Sequence, residues 1–561
     1  MKDKNYISKI IFNNNESIDI NKDDIVIFVG PNNAGKSQAL KDIYMLSSKK
    51  QPSIVISDIE ITKVQSSITE ILNSLSDCKD EGNIKRYYCM GNNFNIQKES
   101  DQWYMQDKYY GNYRDLFIAN LNTINRLSIC EPPNNICRND FKNHPIHYAA
   151  FNPPYRKWLT DNFKKAFGKE ITPNILYGAK IPLCIGDIVS FDNNKYENEQ
   201  ERQEAYAQIL SSYKQVQNQG DGVKSFTGIL LYLMLDYYST YLIDEPESFL
   251  HPPQAKIMGN IIGQSLKESN QQAFISTHSE EIIKGLMEAC PDRIKIIRIT
   301  RSENVNSFSI LNNEEFMNVW NDPLLKYSNI MSSLFYKSVI LCESDSDCKM
   351  YSIILSYLKQ LKGQYLETLF IHCGGKQRMY KIAKALISLG IKTKIITDID
   401  ILDNETNLKN LIDVFNIEWS SLEKSYNILL SNLSNPKEKI ERDIAKTNIN
   451  NILNDSTEKY LSNKNILDIK AAIEIVSKWK YIKNAGKTAI PAGDATSTYN
   501  DINSQLKDVG IYIVPVGELE NFVKEIGGHG PEWVNKVLET YPQLDNSIYN
   551  DIKQFMEEIE V

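Results

Sequence analysis

Along the chain, short apolar runs rich in β-branched residues alternate with longer stretches whose apolar residues recur every three or four positions. Asp24 to Val29 is such a run, and helix formers follow from Lys36 to Met45. Residues 1–48 are therefore predicted to form strand, loop and helix. From about 49 to 205 the pattern dissolves into a stretch rich in Asn, Tyr and Pro. Its breakers include Glu131-Pro132-Pro133 and Asn152-Pro153-Pro154-Tyr155. This stretch reads as an insertion within the first domain, carrying arm or dimerisation elements.

Regular patterning returns at about 206. A helical stretch reaches Leu235, and strand-like Thr240 to Ile243 follows. Next come a helix after Pro252, strand-like Gln272 to Ser276 and a helix after Ser279. A further segment starts near Tyr327. It places strands at Ser338–Cys342, Glu367–His372 and Lys394–Thr397, and helices at Asp347–Leu361 and Gln377–Leu389. A polar helical stretch from 403 to 482 interrupts it, and strand-like Gly510 to Val516 resumes it. Strands alternating with helices predict an α/β fold with parallel sheets. The expected organisation is one α/β domain from 1–48 and 206–325, with 49–205 inserted. A second comes from 326–402 and 483–561, with 403–482 as its helical insertion.

Composition narrows the classes. At roughly 150 residues per domain, 561 residues predict about three or four compact parts. The apolar share of 42% and charged share of 24% are those of a globular chain. With 63 Lys+Arg against 71 Asp+Glu the formal charge is −8, so any nucleic-acid surface must be locally basic. The apolar run from Phe226 stops at Asp236, too short to span a bilayer, and the polar Met1–Lys9 lacks a signal core. No membrane association is expected. Nine cysteines without a CxxC pair suit reduced thiols in a cytoplasmic protein, not a disulfide frame or zinc site.

Gly30-Pro31-Asn32-Asn33-Ala34-Gly35-Lys36-Ser37 fits G-x-x-x-x-G-K-[ST], after an apolar strand and before a helix. Its glycines let backbone N–H groups turn onto a phosphate, and the helix start adds a favourable dipole. Lys36 would reach the β/γ-phosphates and Ser37 would ligate Mg²⁺. Thr240–Ile243 delivers Asp244 to that metal and Glu245 to a place where it can polarise water. His278, just past Gln272–Ser276, suits a γ-phosphate sensor. Gln219-Gly220-Asp221-Gly222-Val223-Lys224-Ser225 opens a helix and offers several N–H groups; an N-capped loop would look the same.

Together these four elements resemble the ABC-type ATPases of the SMC, RecF and Rad50 kind, across about 1–48 and 206–300. The resemblance implies that Gly220 to Ser225, including Gly220 and Gly222, is the signature loop, which caps ATP bound to the opposite protomer. The familiar Ser-Gly-Gly core is here Gly220-Asp221-Gly222. It also implies a head-to-head homodimer or higher homo-oligomer, with Glu247-Ser248-Phe249-Leu250-His251-Pro252 crossing the seam. Tyr148 to Arg156 resembles a segment after the insertion in related ATPases, with Arg156 facing nucleotide.

A second constellation lies downstream. Glu343 and Asp347 follow one apolar strand, Asp398-Ile399-Asp400 another, and Glu518-Leu519-Glu520 a third. One acidic strand end is an ordinary solvated loop. Three in succession on a parallel sheet share one edge, where hard oxygen ligands suit Mg²⁺ or Mn²⁺. Two such ions about 4 Å apart activate water and stabilise the leaving oxygen of a phosphodiester.

The E-x-x-x-D, D-x-D and E-x-E pattern resembles the TOPRIM domain of topoisomerases, DnaG-type primases and OLD-family nucleases. Glu343 matches its first-strand glutamate, as acid/base or metal ligand, and Asp398 and Asp400 match its D-x-D. An ABC-type ATPase followed by TOPRIM resembles the OLD (overcoming lysogenization defect) family over most of the chain. That resemblance implies a second metal held by Asp347, Glu518 and Glu520, and a phosphate-assisting lysine, Lys536 with Lys524 as alternative. The Glu343 turn has Ser344 where the family usually has Gly.

The resemblance implies an ATP-regulated, divalent-metal-dependent DNA endonuclease using ATP and Mg²⁺ or Mn²⁺. Similar proteins are the Gabija nuclease subunit and retron-associated OLD nucleases. That implies an anti-phage role, with a helicase-like subunit or a reverse transcriptase and its nucleic acid as partner. The alternative is a DNA-binding, scaffolding ATPase with an inactive TOPRIM domain. A DNA path is expected at Lys376, Arg378, Lys381 and Lys384, although a solvated helix face would look the same. Trp103 to Tyr113 is expected to pack in a core or interface rather than stack on bases.

Overall fold

The computed structural model describes residues 4–560 apart from 50–52, 65, 76, 82–83, 90–91, 98, 188–197, 303–304, 312, 323–328, 434–440, 455–459, 463–464, 467 and 471–477. The segment start near Tyr327 lies outside the described residues. The chain divides into two compact units, Met1–Phe316 and Met317–Val561.

The first unit is built on a six-stranded sheet. Its order is Val305–Ile310, Ile294–Ser302, Ile25–Val29, Gln272–Ser276, Thr240–Asp244 and Ile118–Leu121. All pairings are parallel except that of the Val305–Ile310 edge. Ile25–Val29 is buried throughout, which is why it reads as a continuous apolar run instead of an alternating one. The loop Gly30–Ser37 and His278 follow the C-terminal ends of parallel strands and Asp244 closes another, so they share one edge.

The stretch 49–205 is less separate than its sequence suggests. Ile118–Leu121 within it forms an edge of this sheet, paired in register from Thr240↔Ile118 to Ile243↔Leu121. Four residues are too few to show a period, which hid the strand among breakers. Ile56–Thr62 pairs with Tyr6–Phe12 in a separate antiparallel sheet. Asp42, on the helix Lys36–Leu46, accepts the N–H groups of Ile54, Val55 and Ile56 at 3.1, 2.7 and 3.0 Å. That carboxylate ties the phosphate-loop helix to the start of the following strand. Tyr104 and Tyr110 of the aromatic stretch stack on Phe117 inside the core, whereas Trp103 is exposed.

The second unit is a four-stranded, wholly parallel sheet in the order Thr368–His372, Ser338–Cys342, Lys392–Thr397, Ile511–Ile513. The helices Asp345–Leu361, Gly530–Thr540 and Asn550–Glu560 contribute Tyr351, Trp533, Phe555 and Met556 to its core. The last strand is shorter than the apolar run from Gly510 to Val516. Gly510 has φ +92°, and Pro515 has no N–H for a ladder. Within 403–482 the described residues form the helices Glu405–Asp413, Trp419–Leu433 and Arg442–Asn454. Lys478–Ala485 straddles the end of that stretch. Among the described residues no helix is long and apolar enough to cross a membrane.

Candidate active site

In the first unit the phosphate loop owes its shape to two glycines. Gly30 has φ +139°, and a Cβ there would collide with the Ile299 carbonyl; Gly35 has φ +103°. Lys36 is buried, and its Nζ donates to the carbonyls of Gly30 and Pro31 at 2.8 and 2.7 Å. Burial pushes its pKa down to about 8, against the opposing pull of Glu245, Glu247 and Asp244. Asn32 and Asn33 are exposed at the loop tip, and Ser37 is half-buried in the first helical turn.

Asp244 accepts from the Ser276 hydroxyl of the neighbouring strand. Glu245 sits at φ +46°, a left-handed conformation costly for a glutamate. It is held there because its N–H donates to the Ser276 carbonyl at 2.9 Å. Its own carbonyl accepts from Arg126 at 3.2 Å. His278 Nε2 lies 3.6 Å from Glu245 Oε1, and burial followed by Lys36 lowers the imidazole pKa. The structure thus brings Lys36, Asp244, Glu245 and His278 to one edge.

Gly222 packs so closely under the Phe249 carbonyl that a Cβ would not fit, whereas Gly220 faces open space. Arg156 donates to Ala150 O at 3.3 Å within its own helical region. Arg126 joins this edge from outside the sequence motifs. It is fully buried on the short helix after Ile118–Leu121, and its Nη1 donates to the Asp244 carbonyl at 2.7 Å. A Cβ on Gly228, in the helix Asp221–Leu233, would collide with the Arg126 carbonyl. A lone arginine in a breaker-rich stretch carries no spacing signal for such a place.

In the second unit the acids converge. Glu343, Asp398 and Asp400 each offer an oxygen, and these lie within 4.8 Å of one another. Glu343 Oε1 accepts from Thr397 Oγ1 at 2.8 Å and from the Asp398 N–H at 2.9 Å, locking two strand ends together. Burial raises the Glu343 pKa against the pull of Lys376. Burial and then Glu343 raise that of Asp398 against the pull of Lys483. Hard carboxylate donors held this close disfavour their own charged forms, and a divalent cation would relieve that cost. The donor set therefore fits Mg²⁺ or Mn²⁺.

Asp347 and Ser344 form a capping box on the helix Asp345–Leu361, with the Ser344 N–H on Asp347 Oδ2 at 2.8 Å. Burial pushes the Asp347 pKa up to about 6. The Ser344 bonds oppose that rise, while Glu343 and Glu520 add to it. Glu520 Oε1 accepts the Gly530 N–H at 2.9 Å, and burial followed by Glu520 raises the Glu518 pKa against Lys483.

A raised carboxyl pKa contributes stability that is present below the unfolded value and lost as pH rises through the folded one. Asp347→Asn keeps the cap acceptor but removes the charge. In metal-free protein it is expected to raise Tm by a few degrees at about pH 8 and little at about pH 4. Scanning calorimetry at the two pH values checks this, and an equal shift at both would contradict it.

The resemblance implies a phosphate-assisting lysine at Lys536, with Lys524 as alternative. Lys536 and Lys524 are exposed. On Gly530–Thr540 the residues Trp533, Val534 and Val537 take the buried face, which leaves Lys536 outward. Among the described residues the ion pairs that reach these acids come from Lys376 and Lys483. Lys376 pairs with Asp400 and lies 3.7 Å from Glu343 Oε2. Lys483 Nζ stands 3.0 Å from Asp398 Oδ2 and 3.4 Å from both Asp400 Oδ2 and Glu518 Oε2. Of the expected basic path, Lys376 thus turns inward, and Arg378, Lys381 and Lys384 form an exposed helical stripe. Lys483 escaped the sequence reading because it lies in a polar helix far from any strand end.

Residues 25–284 match the family model of an AAA domain whose description names the AbiEii toxin and the Type IV TA system. Residues 334–400 match the model "Overcoming lysogenization defect protein-like, TOPRIM domain". The class is therefore a P-loop ATPase domain joined to a TOPRIM domain. The TOPRIM match is to the OLD-like group, so the resemblance to the OLD family holds.

The chain is similar to the Old nuclease of Escherichia phage P2, 25% identical over 329 residues, covering 54% of this chain and 49% of that protein. It is 38% identical over 69 residues to an uncharacterized protein of Methanocaldococcus jannaschii, covering 12% of this chain and 60% of that protein. The chain thus spans about half of the length of the first of these relatives and less than two thirds of the second. Among solved structures, the SMC head domain from Thermotoga maritima is 15% identical with a TM-score of 0.28, covering 55% of this chain and 99% of that one.

Proposed function

We propose that this protein is an ATP-regulated, divalent-metal-dependent DNA endonuclease. The observation that carries the reading is the meeting of Glu343, Asp398 and Asp400, 55 residues apart at first and second members, with oxygens within 4.8 Å. Glu343, Asp398 and Asp400 would hold one cation, with Asp347, Glu518 and Glu520 beside them for a second. A bound divalent ion supplies activation of water and stabilisation of a leaving phosphodiester oxygen. The chain's own part is to fix the acids by the Thr397 and Asp398 hydrogen bonds and to place ammonium groups beside them. The exposed stripe Arg378, Lys381 and Lys384 would take DNA phosphates, with affinity falling steeply with salt.

In the ATPase domain, Lys36 and the loop N–H groups would bind phosphates, Ser37 and Asp244 the nucleotide's Mg²⁺, and Glu245 the attacking water. His278 would sense the γ-phosphate, while Gly220 and Gly222 would cap nucleotide on a second copy. On the family resemblance alone, the proposal extends to anti-phage defence. A supercoiled-plasmid assay in Mg²⁺ or Mn²⁺, with and without ATP, tests the reading. Metal-dependent nicking or linearisation is expected. An intact plasmid under every condition, with DNA still bound, would favour a scaffolding ATPase instead.

A further inference from the structure

The acidic cluster already contains cations of its own. Lys376 takes Asp400 Oδ1, and Lys483 takes Asp400 Oδ2 and also reaches Asp398 and Glu518. Both oxygens of Asp400 are therefore engaged, and Lys483 sits among three carboxylates as an ion would. Its backbone is not free to drift. The Lys483 carbonyl accepts from Asn521 Nδ2 at 2.9 Å, and a Cβ on Gly517 would collide with it. Gly486, at φ +71°, packs against the Pro515–Val516 backbone. Lys483 is thus clamped to the very turn that carries Glu518.

Left without a counter-charge, carboxylates this close repel one another. With the ammonium present the cluster stays assembled, but the ammonium uses oxygens a divalent ion needs. We propose that Lys483 is an internal rival of the divalent ion, a residue that sets metal affinity by occupying the carboxylates the ion needs. The inference rests on the metal-dependent reading of this site. Of the two lysines, Lys483 is the stronger rival, because it alone reaches Asp398, Asp400 and Glu518 together.

Titrating the full, nucleotide-free chain with Mn²⁺ by calorimetry or electron paramagnetic resonance, without DNA, tests this apart from catalysis. Lys483→Met keeps the stem and removes the charge, and is expected to tighten Mn²⁺ binding at least about tenfold. Lys483→Arg keeps the charge in a fork that grips carboxylates bidentately, and is expected to weaken Mn²⁺ binding several-fold. Circular dichroism and Tm establish that each variant is folded. If Lys483→Met does not fold, the Arg variant decides alone, and Mn²⁺ binding as tight as wild type overturns the inference. Unchanged or weaker binding in a folded Met variant overturns it as well. A wild-type chain that binds no Mn²⁺, or that binds it equally after Asp398→Ala, instead overturns the metal reading itself.

Discussion

Replacing Asp398 and Asp400 together by alanine is expected to lower Mg²⁺- or Mn²⁺-dependent DNA cleavage by at least about a thousandfold while sparing ATP binding. Two of the three converging ligand groups would be gone, and Glu343 alone cannot fix a hard cation's geometry. The ATP groups stand on a different sheet, built from other strands. Nor should the fold suffer. Glu343 repels the Asp398 charge, so the double change removes like-charge repulsion from the cluster. Lys376 keeps Glu343 nearby, and Lys483 keeps Glu518. Plasmid cleavage, nucleotide binding and Tm measured on one preparation separate these effects. Normal cutting by the double variant would defeat the TOPRIM assignment of these acids.

Lys36→Ala is expected to weaken ATP binding at least about a hundredfold. A charge-assisted hydrogen bond contributes about 1.5–3 kcal/mol, and every 1.4 kcal/mol is tenfold in affinity. Lys36 now donates to the carbonyls of Gly30 and Pro31. It must leave them for phosphate oxygens, and alanine offers nothing in exchange. Its pKa of about 8 shows that burial works against the ammonium, so an anionic phosphate beside it would hold the proton on. Fluorescent-nucleotide titration checks the affinity. Light scattering should show ATP-driven self-association in wild type and none in the variant. Full-strength ATP binding by Lys36→Ala would defeat the phosphate-loop reading.

Much of this architecture is legible wherever the signal is local. The phosphate loop is eight contiguous residues between a strand and a helix, so its place in the sheet follows from the sequence. Glu343, Asp398 and Asp400 are legible for a related reason: each closes or follows an apolar run, and parallel strands put such ends on one edge. What stays hidden is what depends on packing across distance. Ile118–Leu121 is too short to show a period, and it becomes a strand only beside Thr240–Asp244. Arg126 matters because its helix is wedged against the Asp244 turn and Gly228. The resemblance puts a lysine beside the acids from downstream of Glu520. Trp533, Val534 and Val537 turn Lys536 outward, and Lys483 reaches the acids from a helix placed earlier in the chain.

The clamp of Gly517 and Gly486 onto the chain around Lys483 sets where this domain can be recombined. The helix Arg442–Asn454 before it buries no side chain, and a chimera could trade that helix for a homologous one without touching the chemistry. A crossover placed after Lys483 would be a different experiment. It would import a donor's own charge into the nest of carboxylates, along with whatever backbone must lie beneath Gly517. Such a graft would behave as an active-site mutant, however remote its junction looks on a linear map.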